Sequence, residues 1–142
     1  MAFSITGQVP NTRLFHQSRH VCGEVGFAPY ALPGSSKLGQ NIADTFAKGY
    51  DCVVLENHGV AIGGDDLQQA LQRFETLEFT AKTIIKARLI GDVRYLSDEE
   101  IELPNQIPLL ETFEREPPAS KEKICEDSFV LLHNEVISND CL

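Results

Sequence analysis

The sequence predicts an α/β domain in which a buried sheet is covered by amphipathic helices. Two short runs of aliphatic, mostly β-branched residues, at 53–55 and 60–62, are typical of buried strands. A helical pattern precedes them over about residues 36–48, and a longer helical pattern follows them. A helix, a tight stop and a buried strand in succession are the parts of an α/β layer, which favours this fold class.

The first helix is predicted because apolar residues recur along one face between about residues 36 and 48. These residues are Leu38, Ile42 and Phe46. A serine just before the pattern can cap its N-terminus, and Gly49 stands where a left-handed residue commonly ends a helix. The connector before it, residues 27–35, contains two prolines, which exclude a helix and favour extended backbone.

The second helix is predicted to begin after a cap provided by Asp65 or Asp66 and to end near Leu89 or Ile90. Its apolar residues recur at steps of three and four. They are Leu67, Ala70, Leu71, Phe74, Leu77, Ala81, Ile84, Ile85 and Leu89. We expect this face to cover the sheet, and the alternative is that so long a helix serves as a subunit interface.

The last part of the chain differs in character. A short helix with acidic residues in its first turn is predicted to begin near Ser97. The chain then becomes rich in proline and acidic residues, so residues 1–102 are predicted to form the compact part and residues 103–142 an arm or linker and a tail. Residues 121–142 fit either a docking helix or a disordered tail, because their apolar residues have no clean period.

Composition narrows the class of protein. The length of 142 residues favours one domain, and the net charge of -9 argues against nucleic acid or an anionic membrane as a partner. No apolar run approaches the roughly 18 residues of a membrane span, and the first residues lack the pattern of an export signal. The four cysteines form no C-x-x-C pair, so we expect reduced thiols in a cytoplasmic protein, with Cys52 a small buried hydrophobic residue.

A polar interruption, Glu56-Asn57-His58-Gly59, separates the two predicted strands. A histidine held between strands and followed by glycine is a candidate metal ligand, because the glycine lets another group approach. The alternative is a core histidine whose ring is satisfied by backbone hydrogen bonds. In a regular strand Glu56 would share a face with His58 and could orient the imidazole or act as a base; otherwise it is a solvated edge glutamate.

Two further features carry weaker signals. His16 and His20 are spaced one helical turn apart and could share a metal, but their polar neighbours favour a solvated surface. Tyr30 lies on the proline-stiffened connector and could donate a proton near a site, and the alternative is an ordinary loop tyrosine.

Taken in order, several segments of the chain resemble the class II aldolase/adducin family. The segments are Ala28-Pro29-Tyr30 with Pro33-Gly34-Ser35, Leu55-Glu56-Asn57-His58-Gly59-Val60, Leu67-Gln68-Gln69-Ala70 and Leu96-Ser97-Asp98-Glu99-Glu100-Ile101. Their order over about residues 1–102 is similar to the C-terminal half of the domain in fuculose-phosphate aldolases and ribulose-phosphate epimerases. The resemblance implies a three-layer α/β/α domain that is N-terminally truncated in this chain.

The resemblance also implies a chemistry. The histidine before glycine is a ligand of a catalytic divalent metal in the family, usually zinc, which implies that role for His58. The tyrosine of the Ala-Pro-Tyr segment implies a proton-donating role for Tyr30. The implied reaction is that of a metal-dependent lyase or epimerase, with reversible retro-aldol cleavage of a sugar phosphate or a related small carbonyl compound.

The chain departs from the family's pattern in its metal ligands. The His-x-His motif that supplies the other two ligands in the family does not occur in the sequence, and a catalytic zinc ordinarily has three protein ligands. We therefore expect aldolase ancestry, low zinc occupancy and no competence of this chain alone. The alternative is a non-catalytic, adducin-like structural or interaction domain. A sheet without its first strands would expose an edge, so we also expect a homo-oligomer.

Overall fold

A computed structural model describes residues 2–103, and the backbone of residues 129–132 and 135–138. The elements in chain order are α1 (Ala2–Ile5), a 3-10 turn (Thr12–Leu14), α2 (His16–Cys22), β1 (Val25–Ala28), α3 (Ser36–Phe46), β2 (Cys52–Leu55), β3 (Gly59–Gly64), α4 (Leu67–Arg88), α5 (Asp98–Glu102), β4 (Phe129–Leu132) and β5 (Glu135–Ser138).

The strands form one mixed sheet in the order β1-β2-β3-β4-β5. The β1 and β2 strands run parallel, and the other neighbours are antiparallel. Ala28 pairs with Leu55, and Leu55 pairs with Gly59. The ends of β1 and β2 and the start of β3 therefore meet at one edge of the sheet.

Both faces of the part of the sheet formed by β1, β2 and β3 are buried. Alternate residues of a strand point to opposite sides of the sheet. On one face Val54, Val60 and Ile62 share a buried cluster with residues of α2 and α4. On the other face Val53, Leu55 and Ala61 are buried, and residues of α3 pack against them. Helices on both sides of a sheet make three layers, as the family resemblance implied.

The predicted helix boundaries are confirmed to within two residues. Ser35 caps α3 by accepting a hydrogen bond from the Leu38 N–H at 3.2 Å. Of the two candidate caps for α4, Asp66 is the one used, since it accepts a hydrogen bond from the Gln69 N–H at 2.6 Å. Gly49 has the predicted left-handed conformation, with φ of 91°.

The long apolar face of α4 divides into two stripes. Ala70, Leu77 and Ile84 are completely buried, so the expectation that α4 covers the core is confirmed for this stripe. The neighbouring positions Leu67, Leu71, Ile85 and Leu89 are exposed among the described residues. None of the helices in the described part of the chain is long and apolar enough to cross a membrane.

Arg73 of α4 ties the layers together at the end of the sheet opposite the β1–β2 strand ends. Its guanidinium donates to the carbonyl of Gly63 at 2.7 Å and to that of Val21 at 3.3 Å, and it forms an ion pair with Asp51 at 2.8 Å. One largely buried side chain thus connects α4 with the end of α2, with β3 and with the residue that precedes β2.

One expectation about the end of the chain needs correction. Within residues 121–142, the eight described residues form β4 and β5 rather than a docking helix or a disordered tail, since β3 offers them a neighbouring strand to pair with. The boundary at residue 102 stays a prediction, because residues 104–128, 133–134 and 139–142 lie outside the described part.

Candidate functional site

The candidate site lies where β1 and β2 end side by side. The Glu56 N–H donates to the Ala28 carbonyl at 3.0 Å, which continues the parallel pairing by one residue. Beyond that point the chain leaves β1 as the proline-containing connector and leaves β2 as the turn to β3. The carboxyl ends of neighbouring parallel strands are a common place for ligand sites in α/β sheets.

Glu56 joins these two segments. Its carboxylate oxygen Oε2 accepts a hydrogen bond from the backbone N–H of Tyr30 at 2.8 Å. Glu56 is therefore neither the solvated edge residue nor the partner of the imidazole that the sequence suggested; it holds the connector. No local pattern signals this contact, because 26 positions separate the two residues.

The connector is held at a second point by α3. The side-chain amide of Asn41, which is 8% exposed, donates to the Pro29 carbonyl at 3.0 Å. Pro29 and Tyr30 are thus fixed through their backbone atoms by two different elements. Tyr30 is 55% exposed, so the residue is presented to solvent from a fixed backbone.

His58 lies in the tight turn between β2 and β3. Leu55 is the last residue of β2, Asn57 adopts a left-handed conformation with φ of 52°, and the His58 N–H donates to the Leu55 carbonyl at 3.1 Å. His58 is exposed, so the core-histidine alternative is wrong. The expectation that Glu56 and His58 share one face of a regular strand is also wrong, because the chain reverses between them.

The turn is anchored to α1. The Asn57 N–H donates to the Ser4 carbonyl at 2.9 Å, so the first helical turn of the chain supports the residue that precedes His58. Asparagine is one of the few residues that adopt positive φ readily. An asparagine two residues before a glycine, between two aliphatic runs, is therefore the sequence signal that could have revealed a tight turn at this place.

The described residues do not form a complete metal site. Among them there is no group of three histidine, cysteine, aspartate or glutamate side chains that could hold a metal ion. His16 and His20 lie one turn apart on α2, and neither is buried, as expected for a solvated surface. The residues at the β1–β2 edge therefore fit at most part of a zinc site, and the roles of His58 and Tyr30 stay predictions.

Comparison with known proteins supplies the family. Residues 1–85 match the family described as Class II Aldolase and Adducin N-terminal domain. The chain is 38% identical over 81 residues to the 3-oxo-tetronate 4-phosphate decarboxylase of Pectobacterium atrosepticum, which covers 56% of this chain and 35% of that protein. It is 30% identical over 70 residues to the rhamnulose-1-phosphate aldolase of Klebsiella pneumoniae, covering 49% of this chain and 25% of that protein.

The fold agrees with these matches. The solved structure of an L-fuculose 1-phosphate aldolase superposes with a TM-score of 0.62 at 30% identity, over 74% of this chain and 49% of the other. The chain spans about a third, or less, of the length of the curated relatives that it matches. Since the family match covers more than half of the 142 residues and the fold is that of class II aldolases, the chain belongs to the class II aldolase and adducin N-terminal domain family.

Proposed function

We propose that this protein supplies part of a carbon–carbon lyase site of the class II aldolase type, for a sugar phosphate or a related small carbonyl compound. The observation that carries the proposal is the meeting of Tyr30, Glu56 and His58 at the ends of β1 and β2. The names of the relatives support the reaction class, since a 3-oxo-acid decarboxylase and a ketose-phosphate aldolase both break a carbon–carbon bond close to a carbonyl group.

Both reactions make the same demand on a site. Breaking the bond leaves an electron pair on the carbon beside the carbonyl, and that charge must be stabilised and then protonated. One active site can therefore serve decarboxylation or aldol cleavage by changing the leaving group. The common requirement is a charge-stabilising group and a proton donor at a fixed separation.

Tyr30 is the proposed proton donor. Its backbone N–H is held by Glu56 at 2.8 Å, and the preceding Pro29 is held by Asn41 at 3.0 Å, so little conformational freedom remains before the ring. Tyr30 is exposed, and we propose that its phenol protonates a substrate bound at the strand ends. Glu56 is proposed as a positioning residue, which acts through Tyr30 without touching the substrate.

His58 is the proposed metal ligand. Class II aldolases generally depend on a divalent metal, usually zinc, which would supply stabilisation of the developing charge. A catalytic zinc site normally has three protein ligands, and the described residues bring one histidine to this edge. We therefore propose that the described residues alone are not competent, and that further ligands come from residues outside them or from a second copy of the chain.

The competing proposal is a non-catalytic, adducin-like interaction domain that has inherited the fold. The single histidine that the described residues bring to the β1–β2 edge favours it, because a lone imidazole cannot hold a catalytic zinc. The two proposals differ in what His58 does, so zinc binding by the whole chain separates them.

The test is zinc titration of the purified chain by calorimetry, with the His58→Ala variant and with His16→Ala as a matched control for loss of an exposed histidine. One zinc per chain with a Kd below about 1 μM, about −8 kcal/mol, would support the lyase site if His58→Ala loses that binding and His16→Ala keeps it. Equal zinc binding by the parent and by His58→Ala, or no binding by either, would favour the interaction domain.

A further inference from the structure

Two thiols lie together in the core, at the end of the sheet opposite the candidate site. Cys22 is the last residue of α2, and Cys52 is the first residue of β2. Both are completely buried, and both belong to the cluster between the sheet and the α2–α4 layer. They lie in different elements that are distant along the chain, so only the fold brings them into contact.

The two thiols are hydrogen-bonded to each other. The bond from Cys52, with the nearby charge of Arg73, lowers the pKa of Cys22 against the opposing effect of burial. The same bond, together with burial, raises the pKa of Cys52. The Cys22 thiol also donates a hydrogen bond to the Arg73 carbonyl oxygen at 3.4 Å. The two thiols are thus unequal, since the pKa of Cys22 is lowered and that of Cys52 is raised.

The backbone on both sides of this thiol pair is held by one side chain. The Arg73 guanidinium binds the carbonyl of Val21, which precedes Cys22, and the carboxylate of Asp51, which precedes Cys52. The Arg73 side chain is only 16% exposed, whereas that of Asp51 is 53% exposed. Neither contact involves a sulfur atom, so oxidation of the thiols does not remove them.

We propose that Cys22 and Cys52 form a reversible intramolecular disulfide when the protein meets a peroxide. The Cys22 sulfur attacks one peroxide oxygen, the O–O bond breaks, and a sulfenic acid and hydroxide result. The Cys52 sulfur then attacks the Cys22 sulfur, the S–O bond breaks, and the thiol proton leaves with the hydroxyl group as water. The hydroxide takes up the proton that Cys22 released, so one peroxide becomes two waters while the two thiols are oxidised to one disulfide.

The disulfide would close a loop that contains β1, the connector and α3. This loop carries Tyr30 and Asn41, so the link would restrain the segment that forms one side of the candidate site. Because both thiols are buried, the peroxide reaches them through local opening at the end of α2, a seven-residue helix. The proposal does not depend on the proposed function, since it concerns thiols at the other end of the strands.

The test treats the native chain with a small excess of hydrogen peroxide. The chain is then unfolded, its remaining thiols are alkylated, and it is digested with trypsin without reduction. Mass spectrometry identifies the linked peptides. Cleavage places Cys22 in residues 20–37, Cys52 in residues 49–73, and both Cys125 and Cys141 in residues 124–142. A link between the first two peptides is therefore distinguishable from a link to the third. We expect a link between residues 20–37 and 49–73 that a reductant removes.

Matched variants and a second measurement complete the experiment. Cys125→Ser should keep the link, whereas Cys22→Ser and Cys52→Ser should lose it. In the parent, oxidation should raise the thermal unfolding midpoint by about 5 °C or more, reversibly. The proposal would be overturned if Cys22 and Cys52 are alkylated in the peroxide-treated parent chain, since both thiols would then have stayed free. It would also be overturned if they are linked to residues 124–142. The deciding results come from the parent chain and from Cys125→Ser. The test therefore stays valid even if Cys22→Ser or Cys52→Ser does not fold.

Discussion

At the scale of single residues, the carboxylate of Glu56 determines where Tyr30 lies. Its bond to the Tyr30 N–H crosses from the turn after β2 to the connector after β1, beyond the last residues of both strands. A hydrogen bond to a charged group contributes more than one between neutral groups, about 1.5–3 kcal/mol when well shielded. Partial exposure of Glu56 places this bond at the lower end.

We predict that Glu56→Ala lowers the free energy of unfolding by about 1–2 kcal/mol, because the Tyr30 N–H loses its acceptor. Glu56→Gln should lose less, since its amide oxygen can still accept. The measurement is urea denaturation followed by circular dichroism. Glu24→Ala is the matched control: Glu24 forms an exposed ion pair with Arg19 at 3.0 Å, which should contribute less than about 1 kcal/mol. Equal losses in the two alanine variants would contradict a positioning role for Glu56.

At the scale of elements, the passage from β3 into α4 is a tight junction that a side chain at Gly64 would obstruct. A Cβ on Gly64 would lie 2.7 Å from the Ala70 nitrogen and 3.0 Å from the Asp66 carbonyl oxygen. Both atoms belong to the backbone at the start of α4, and the Asp66 cap fixes them. The absence of a side chain at Gly64 is therefore what lets α4 begin so close to the sheet.

We predict that Gly64→Ala lowers the free energy of unfolding by about 2–3 kcal/mol, because the added methyl group meets backbone that cannot move independently. Gly39→Ala is the matched control within α3, where nothing lies within 4 Å of the new Cβ. It should raise the free energy of unfolding by about 0.5–1 kcal/mol through helix propensity. Thermal and urea denaturation would measure both, and a neutral Gly64→Ala would show that the junction relaxes.

At the scale of the whole molecule, β1 is an edge strand. The Ala28 carbonyl accepts from the Glu56 N–H of the neighbouring segment, so the backbone groups of Val25 and Phe27 face the other way. No strand within the described part of the chain pairs with that side of β1. An edge of this kind is a template for another chain.

We predict that the purified chain self-associates through the outer edge of β1. Val25→Pro should shift the sedimentation velocity profile toward the monomer, because it removes a backbone N–H that points outward from β1. Proline is tolerated at this position, because Val25 is the first residue of the strand. Leu89→Lys is the comparison, since it alters the exposed stripe of α4 and should leave the profile unchanged. The prediction would be contradicted if the parent chain sediments as a monomer. If Leu89→Lys alone gives a monomer, the interface lies on α4 instead of β1.

The elements that the sequence predicted well are those specified by neighbouring residues. The α3 and α4 helices follow from apolar recurrence and from the caps Ser35 and Asp66, and β2 and β3 follow from β-branched runs. The short helix after Ser97 follows from a capping box with Glu100, whose bonds lie within four residues. Local patterns suffice in such cases because the interacting groups are close in the chain.

Patterns in the sequence were enough to predict the α/β class, the helices and strands between residues 36 and 102, and the resemblance that marks Tyr30 and His58. Three contacts could be learned only from the folded chain: Glu56 binds Tyr30, Asn57 rests on α1, and Cys22 meets Cys52. Each of them joins residues that lie more than about 20 positions apart. Strand register and layer packing select such partners, and no local pattern encodes either of them.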